Sequence, residues 1–217
     1  MKRGPVCLLA VLGLVLVACS AGDATSSADE PDTITLVAYD SFPAPDPENP
    51  IHIALAEFTA QTGISVEILI AGDTGTMLSK ATLTAGNPEG DVMWGIDNTF
   101  LSRGIAAQIF EPYQAAGAAD LPAEFTQLVP NGEATPVDFG DVCVNYDIAA
   151  LEAAGIDPPA SLADLALPQY DGQLVVQNPA TSSPGLAFLP ATIAEFANAG
   201  WAAYWQSPRD NDVESVD

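Results

Sequence analysis

TITLVAYD at Thr33–Asp40, IHIALAEFTAQT at Ile51–Thr62, ISVEILIA at Ile64–Ala71, MLSKATLT at Met77–Thr84 and DVMWGI at Asp91–Ile96 decide the fold class. The first, third and fifth segments are short, apolar and rich in β-branched residues, which suits strands. The second and fourth carry apolar residues at helical spacing, and Gly63 supplies a stop signal after the first of them. An order of strand, helix, strand, helix, strand with near-continuous apolar strands predicts a parallel sheet covered by helices. Ser41–Pro50 holds four prolines and reads as a loop. Further strands are expected at Val137–Tyr146 and Gln173–Val176, and a further helix at Leu186–Ala199.

Upstream of this pattern, Lys2 and Arg3 precede an almost wholly apolar run from Val6 to Val17. A basic start, a short apolar run and small residues at the cut make residues 1–18 a secretory signal. The run is about a dozen residues, short of the roughly 20 that span a bilayer. Leu16-Val17-Ala18-Cys19 resembles the bacterial lipobox, so Cys19 is expected to carry lipid and to hold the protein on the outer side of a membrane. Residues 19–32 are small, hydroxylated or acidic and lack periodicity, as a flexible tether would be. Cys7 leaves with the signal and Cys19 is lipidated, which leaves Cys143 alone. Between Val142 and Val144, Cys143 is expected to be a buried, inert core thiol.

Beyond the signal only Lys80, Arg103 and Arg209 stand against 29 acidic residues, a balance of −26. Such a surface repels nucleic acid. It suits a cationic small ligand, because an acidic cleft focuses cations, and equally it keeps an exported protein soluble.

In an open parallel sheet, ligands bind beyond the carboxyl ends of the strands. The loops there contain Tyr39-Asp40-Ser41-Phe42, Gly72-Asp73-Thr74-Gly75, Gly95-Ile96-Asp97-Asn98, Val137-Asp138-Phe139-Gly140 and Asn178 to Gly185. Tyr39 and Phe42 can stack on a flat ring or face a cation. Asp40, Asp73, Asp97 and Asp138 can offset positive charge, and Thr181, Ser182 and Ser183 offer hydroxyl and backbone N–H donors ahead of a helix. Each residue also has a purely structural role open to it. Asp73 and Ser182 suit helix N-caps, Asp97-Asn98 suits an Asx-turn, and Tyr39 suits the core. Together, polar loops after successive strands favour a ligand cleft.

No catalytic residue is expected. The single histidine, His52, falls in an apolar-faced helix, and no nucleophile–base pair, Gly-x-Ser-x-Gly, His-Glu-x-x-His or phosphate-cradling motif is present. No metal loop is recognisable either, and no cofactor is expected.

With these residues in view, the sequence resembles the thiamine-binding solute receptors of bacterial ABC importers. The resemblance is carried by Tyr39-Asp40-Ser41-Phe42, Gly95-Ile96-Asp97-Asn98, Pro136 to Gly140 with Asn145-Tyr146-Asp147, and Asn178-Pro179 followed by Thr181-Ser182-Ser183-Pro184-Gly185. Pro158-Pro159 with Ser161-Leu162 and Asp164-Leu165 is similar to the wider superfamily of iron and thiamine receptors. The resemblance implies a two-lobed α/β fold of the periplasmic-binding-protein type II kind. Parallel-sheet lobes would fall at 33–135 and 136–217, the second incomplete. It implies a non-enzymatic receptor, extracytoplasmic and lipid-anchored, that captures thiamine or thiamine phosphate and hands it to permease subunits. Tyr39 would pack on the ligand's rings, and Asp73, Thr74 and Ser182 would line the cleft. Thr74 stands where some members have glycine, and Ala180 where some relatives have a basic residue.

Family members continue past the stretch that Trp201 to Val213 resembles, through a further lobe segment and more ligand-contacting aromatics. The 217-residue chain is therefore expected to be truncated and to bind thiamine weakly or not at all; tight binding by calorimetry would refute this. Iron or another small solute is an alternative cargo, although the five tyrosines form no adjacent pair. A thiaminase-like enzyme on the same fold is a second alternative, which would need Cys143 as nucleophile.

Overall fold

Successive residues of a strand point to opposite faces, and in the strand β1 (Thr33–Ala38) both faces are buried. Leu36, Ala38 and the following Phe42 pack on one side with Ile51 and Leu55; Val37 packs on the other with Ala71 and Met77. A strand apolar on both faces needs a cover on each side, and the two helices that follow supply one apiece. The computed structural model describes residues 32–217. The readings for the signal at 1–18, for Cys19 and for the tether up to Pro31 lie outside the described residues.

After β1 come α1 (Pro50–Thr62), β2 (Ser65–Ile70), α2 (Thr74–Leu83), β3 (Val92–Trp94) and α3 (Leu101–Ala106). The strands form a parallel sheet in the order β2-β1-β3, with Thr33 opposite Ser65 and Ala38 opposite both Ile70 and Trp94. Pro50 opens α1 at its first turn, where a missing N–H costs nothing, and the Asn49 side chain caps it by accepting from Ile51 N–H at 2.9 Å. Gly63 ends it at φ 79°, its N–H donating to the Thr59 carbonyl at 2.9 Å.

The chain continues through α4 (Ala123–Thr126) and α5 (Ile148–Ala154) to β4 (Val175–Gln177), α6 (Ser183–Asp210) and β5 (Glu214–Val216). Strands β4 and β5 pair in parallel, Val175 opposite Glu214 and Gln177 opposite Val216. A parallel pair needs a crossover, and α6 provides it. Ala197, at φ 56° and ψ 171°, breaks α6 into two arms. An unbroken helix would separate residues 188 and 205 by roughly 25 Å, yet the Phe188 and Trp205 rings meet edge to face at 5.8 Å. The arms therefore fold back on each other. Trp205 Nε1 donates to Thr192 Oγ1 at 3.0 Å, and Tyr204 stacks on Phe196 at 4.2 Å.

Tyr204 is 8% exposed, and its buried hydroxyl has no hydrogen-bond partner among the described residues. Burial pushes the phenol's pKa above its ordinary value. A phenol whose pKa is raised by burial leaves stability independent of pH below its unfolded value, about 10 for tyrosine, and lowers it as pH climbs further, because the unfolded chain ionises first. Tyr204→Phe is therefore expected to be neutral, or stabilising by about 1 kcal/mol, at pH 7, because an unpaired buried hydroxyl carries a desolvation cost. It should also flatten the loss of stability above about pH 10. Thermal melts at pH 7 and pH 10.5 of the two proteins check both.

Several expectations shift at their edges: α2 starts at Thr74 rather than Met77, β4 ends at Gln177, and α6 extends from Ser183 to Asp210 rather than over Leu186–Ala199. Two fail outright. Val137–Tyr146 is not a strand; among the described residues no strand lies beside it to share its hydrogen bonds, so its apolar pattern meets no partner. Val137, Phe139, Val142 and Val144 are exposed in consequence. Cys143 is exposed with them instead of buried in a core. Flanking valines do not bury a thiol when the strand they promise is unpaired.

Candidate functional site

Strands β1, β2 and β3 run in parallel and end at one edge of their sheet. The loops beyond that edge, together with the start of α6, surround a cavity of about 600 Å³. Tyr39, Asp40 and Ser41 come from the end of β1, Asp73 and Thr74 from the start of α2, and Trp94 to Asp97 from the end of β3. The opposite wall is Val137, Asp138, Gln177, Ser182, Ser183, Pro184 and Asp217. Eight of the nine residues singled out from sequence meet here. Thr181 does not line the cavity; its carbonyl accepts from Gly75 N–H at 2.7 Å and its hydroxyl donates to Asp217 Oδ1 at 3.1 Å. Phe42 also lies elsewhere, 6% exposed in the core and edge to face with His52 and Trp94.

The Gly75–Thr181 hydrogen bond joins the two walls, and only glycine fits at its donor. A Cβ on Gly75 would stand 2.5 Å from the Ala180 carbonyl oxygen and 2.7 Å from Thr181 Cα. Gly95 has a similar place under Tyr39. It sits at φ 106°, and a Cβ there would lie 2.2 Å from the Tyr39 ring. The ring thus rests on bare backbone, with one flank against the core beside Val37 and Met77 and another facing the cavity. Tyr39 fills the core role and the site role at once.

Most polar groups in the walls also hold the loops in shape. Asp73 Oδ1 accepts from Thr76 N–H at 3.0 Å and caps α2; Ser182 Oγ accepts from Gly185 N–H at 3.2 Å and caps α6, while donating to Gln177 Oε1 at 2.5 Å. Asp97 Oδ1 closes an Asx-turn by accepting from the backbone N–H groups of Thr99 and Phe100, both at 3.1 Å. The Thr74 hydroxyl donates to the Gly95 carbonyl at 2.9 Å, which ties α2 to the end of β3. Asp40 and Asp138 differ, being exposed to solvent with no side-chain hydrogen bond among the described residues. Ser183 Oγ is buried and unpaired, so it has no bond to lose on turning toward a ligand heteroatom.

Five carboxylates, those of Asp40, Asp73, Asp97, Asp138 and Asp217, line this space with the Tyr39 and Trp94 rings, and among the described residues no basic side chain does. An acidic concavity with aromatic walls concentrates a flat organic cation. Trp94, Gln177 and Asp217 escaped the sequence reading. Trp94 could have been found as the last residue of a strand whose end faces the site, but nothing local marks Gln177 or Asp217. His52 Nε2 lies 3.0 Å from the Pro43 carbonyl oxygen, away from the cavity lining. Among the described residues no group of three or more His, Cys, Asp or Glu is arranged to hold a metal ion.

The model of the family described as "Bacterial extracellular solute-binding protein" matches residues 88–216. The chain belongs to this family. A thiamine-binding periplasmic protein of Escherichia coli (strain K12) is 27% identical over 157 residues, covering 72% of this chain and 45% of the relative. The chain therefore spans about half the length of the curated relatives it matches. Two solved structures share the fold. The periplasmic binding protein P5PA superposes with a TM-score of 0.65 at 17% identity, over 83% of this chain and 56% of its own. A periplasmic thiamin binding protein superposes with a TM-score of 0.62 at 21% identity, over 85% and 56%. The mixed α/β architecture with parallel sheets is that of part of the periplasmic binding proteins, and the family and its structural neighbours are binding proteins rather than enzymes.

Proposed function

We propose that this solute-binding protein captures thiamine outside the cytoplasm and delivers it to an ABC permease, held at the membrane by lipid on Cys19. Residues 33–135 would form one lobe and 136–217 part of the second, with the cavity between their loops. The observation that carries the reading is a cavity walled by Tyr39, Trp94 and five carboxylates, without a basic side chain among the described residues. Thiamine matches it in both respects, having a cationic thiazolium and an aromatic aminopyrimidine. The thiamine-binding relative supports the same cargo. A lipid anchor would keep the receptor beside its permease and raise the local ligand concentration there.

Neither alternative finds support in the cavity. Iron receptors draw on paired tyrosines, whereas Tyr39 is the one tyrosine in the lining. Thiaminase chemistry needs a cysteine nucleophile at the ligand, and Cys143 is not in the lining.

Three of the carboxylates are exposed, so the site is open and its affinity for thiamine is expected to be modest. Titration to about 10 mM thiamine covers even dissociation constants in the millimolar range. The expected result is saturable quenching of tryptophan fluorescence that Trp94→Phe removes. Trp201 and Trp205 line a different, apolar cavity of about 410 Å³ and should not respond. No saturable change, or a change that survives Trp94→Phe, would count against thiamine at this site.

A further inference from the structure

Tyr39 and Trp94 both line the cavity, yet they reach it from opposite faces of the sheet. Ala38 stands opposite Trp94 in the parallel register of β1 and β3. Residues opposite each other share a face and successive residues alternate, so Tyr39, the next residue after Ala38, projects to the other side. The packing agrees. Trp94 joins Leu36, Ala38 and Phe42 on the face that α1 covers, and Tyr39 joins Val37, Ala71 and Met77 on the face that α2 covers. Resting on the thiamine reading, we infer that the site has two separate ring subsites, one at each of these side chains, and that it selects a ligand whose two flat rings are joined by a short bridge across the end of the sheet.

Each ring is held by its own surroundings. The Trp94 indole meets the buried Phe42 edge to face at 6.1 Å, and Phe42 meets His52 of α1 in the same way at 6.0 Å. His52 is pinned in turn, its Nε2 lying 3.0 Å from the Pro43 carbonyl oxygen. The Tyr39 ring rests on the backbone of Gly95, the residue that follows Trp94. Both rings are half-buried, and side chains anchored from behind lose little freedom when a ligand stacks on them. A tetrahedral methylene carbon between two rings sets them at an angle, as in thiamine, so one ring can lie on each side of the sheet's end. A single-ring ligand fills one subsite and forgoes the other. Linking the rings makes the second contact intramolecular, which raises affinity above that of either ring alone.

The test titrates thiamine, a methylated aminopyrimidine and an N-methylated thiazolium into the protein and follows the ligands' own proton signals by NMR. Tyr39→Leu and Trp94→Leu are compared with the unmodified protein, leucine keeping apolar bulk against each core while removing the ring. Each variant should weaken thiamine binding by about fivefold. Each should also weaken only one of the two fragments, a different one in each case. Trp94→Phe, which keeps a ring, should regain most of the affinity lost in Trp94→Leu. In the unmodified protein, intermolecular NOEs should join Tyr39 to one ring of thiamine and Trp94 to the other, a readout that does not depend on how well the variants fold. Loss of the same fragment in both variants, NOEs from both side chains to one ring, or a fragment that binds as tightly as thiamine would overturn the inference and leave thiamine as cargo. So would undiminished thiamine binding by Trp94→Leu. Absence of any thiamine response would remove the parent reading and the inference with it.

Discussion

Gly75→Ala is expected to destabilise the protein by about 2 kcal/mol, the middle of the range for forcing a methyl group into a packed site. Helix propensity alone predicts the opposite. Alanine inside a helix is favoured over glycine by up to about 1 kcal/mol, and Gly75 lies in the first turn of α2. Packing should win because the atoms in the way belong to backbone. The Ala180 carbonyl oxygen, 2.5 Å from the added Cβ, cannot rotate aside as a side chain could. Relief requires the Asn178–Ser182 loop to move off α2, which breaks the 2.7 Å hydrogen bond from Gly75 N–H to Thr181. That movement also parts Asp73 and Thr74 from Ser182 and Ser183, so thiamine binding should fall with stability. Gly140 is the control: a Cβ there meets nothing within 4 Å, and Gly140→Ala should leave both unchanged. Thermal melts, where 1 kcal/mol is about 2–4 °C for a chain of this size, distinguish the outcomes. A rise in melting temperature for Gly75→Ala would show that the two walls are not in contact.

The second large effect falls on ligand binding. Tyr39→Ala should weaken thiamine binding by about fivefold, because a cation–aromatic contact in an open site contributes about 1 kcal/mol. Tyr39→Phe should stay within about threefold of the parent, since the ring supplies the contact and a phenyl face serves nearly as well. The ring also touches the core beside Val37 and Met77, so Ala will cost stability. Affinity must therefore be read below the variant's own melting transition. If Phe lost as much as Ala, the hydroxyl rather than the ring would be the recognising group.

The first sheet was legible because its strands are apolar on both faces and its helices carry their own punctuation, Asn49-Pro50 at one end of α1 and Gly63 at the other. Such signals act within a few residues and survive without tertiary context. Val137–Tyr146 shows the limit. Its pattern is a strand's, but a strand exists only where a neighbour accepts its hydrogen bonds, and no local residue specifies that neighbour. Cys143 shares this limit, because the valines on either side bury a thiol only where their segment packs, and here it is exposed. The break at Ala197 was equally hidden, because alanine favours a continuous helix and only the packing of Phe188, Phe196, Tyr204 and Trp205 accounts for the fold-back.

At the site, residues that follow strand ends could be found by position in the chain, and eight of the nine named line the cavity. Their division of labour could not. Asp73, Asp97 and Ser182 were equally suited to capping and to ligand contact, and they turn out to cap while lining the cavity. Thr181 lies one residue from the lining but is turned toward Gly75 and Asp217, a direction that depends on where α2 packs.

The central claim is that these loops, and not the aromatic cavity along α6, receive thiamine. Amide chemical shifts followed by two-dimensional NMR during a thiamine titration test it most directly. Saturable shifts are expected at Tyr39, Thr74, Gly95, Asp97 and Ser183, with Phe188, Trp201 and Trp205 unmoved. Shifts confined to Phe188, Trp201 and Trp205, or no saturable shift at any of these residues, would contradict it.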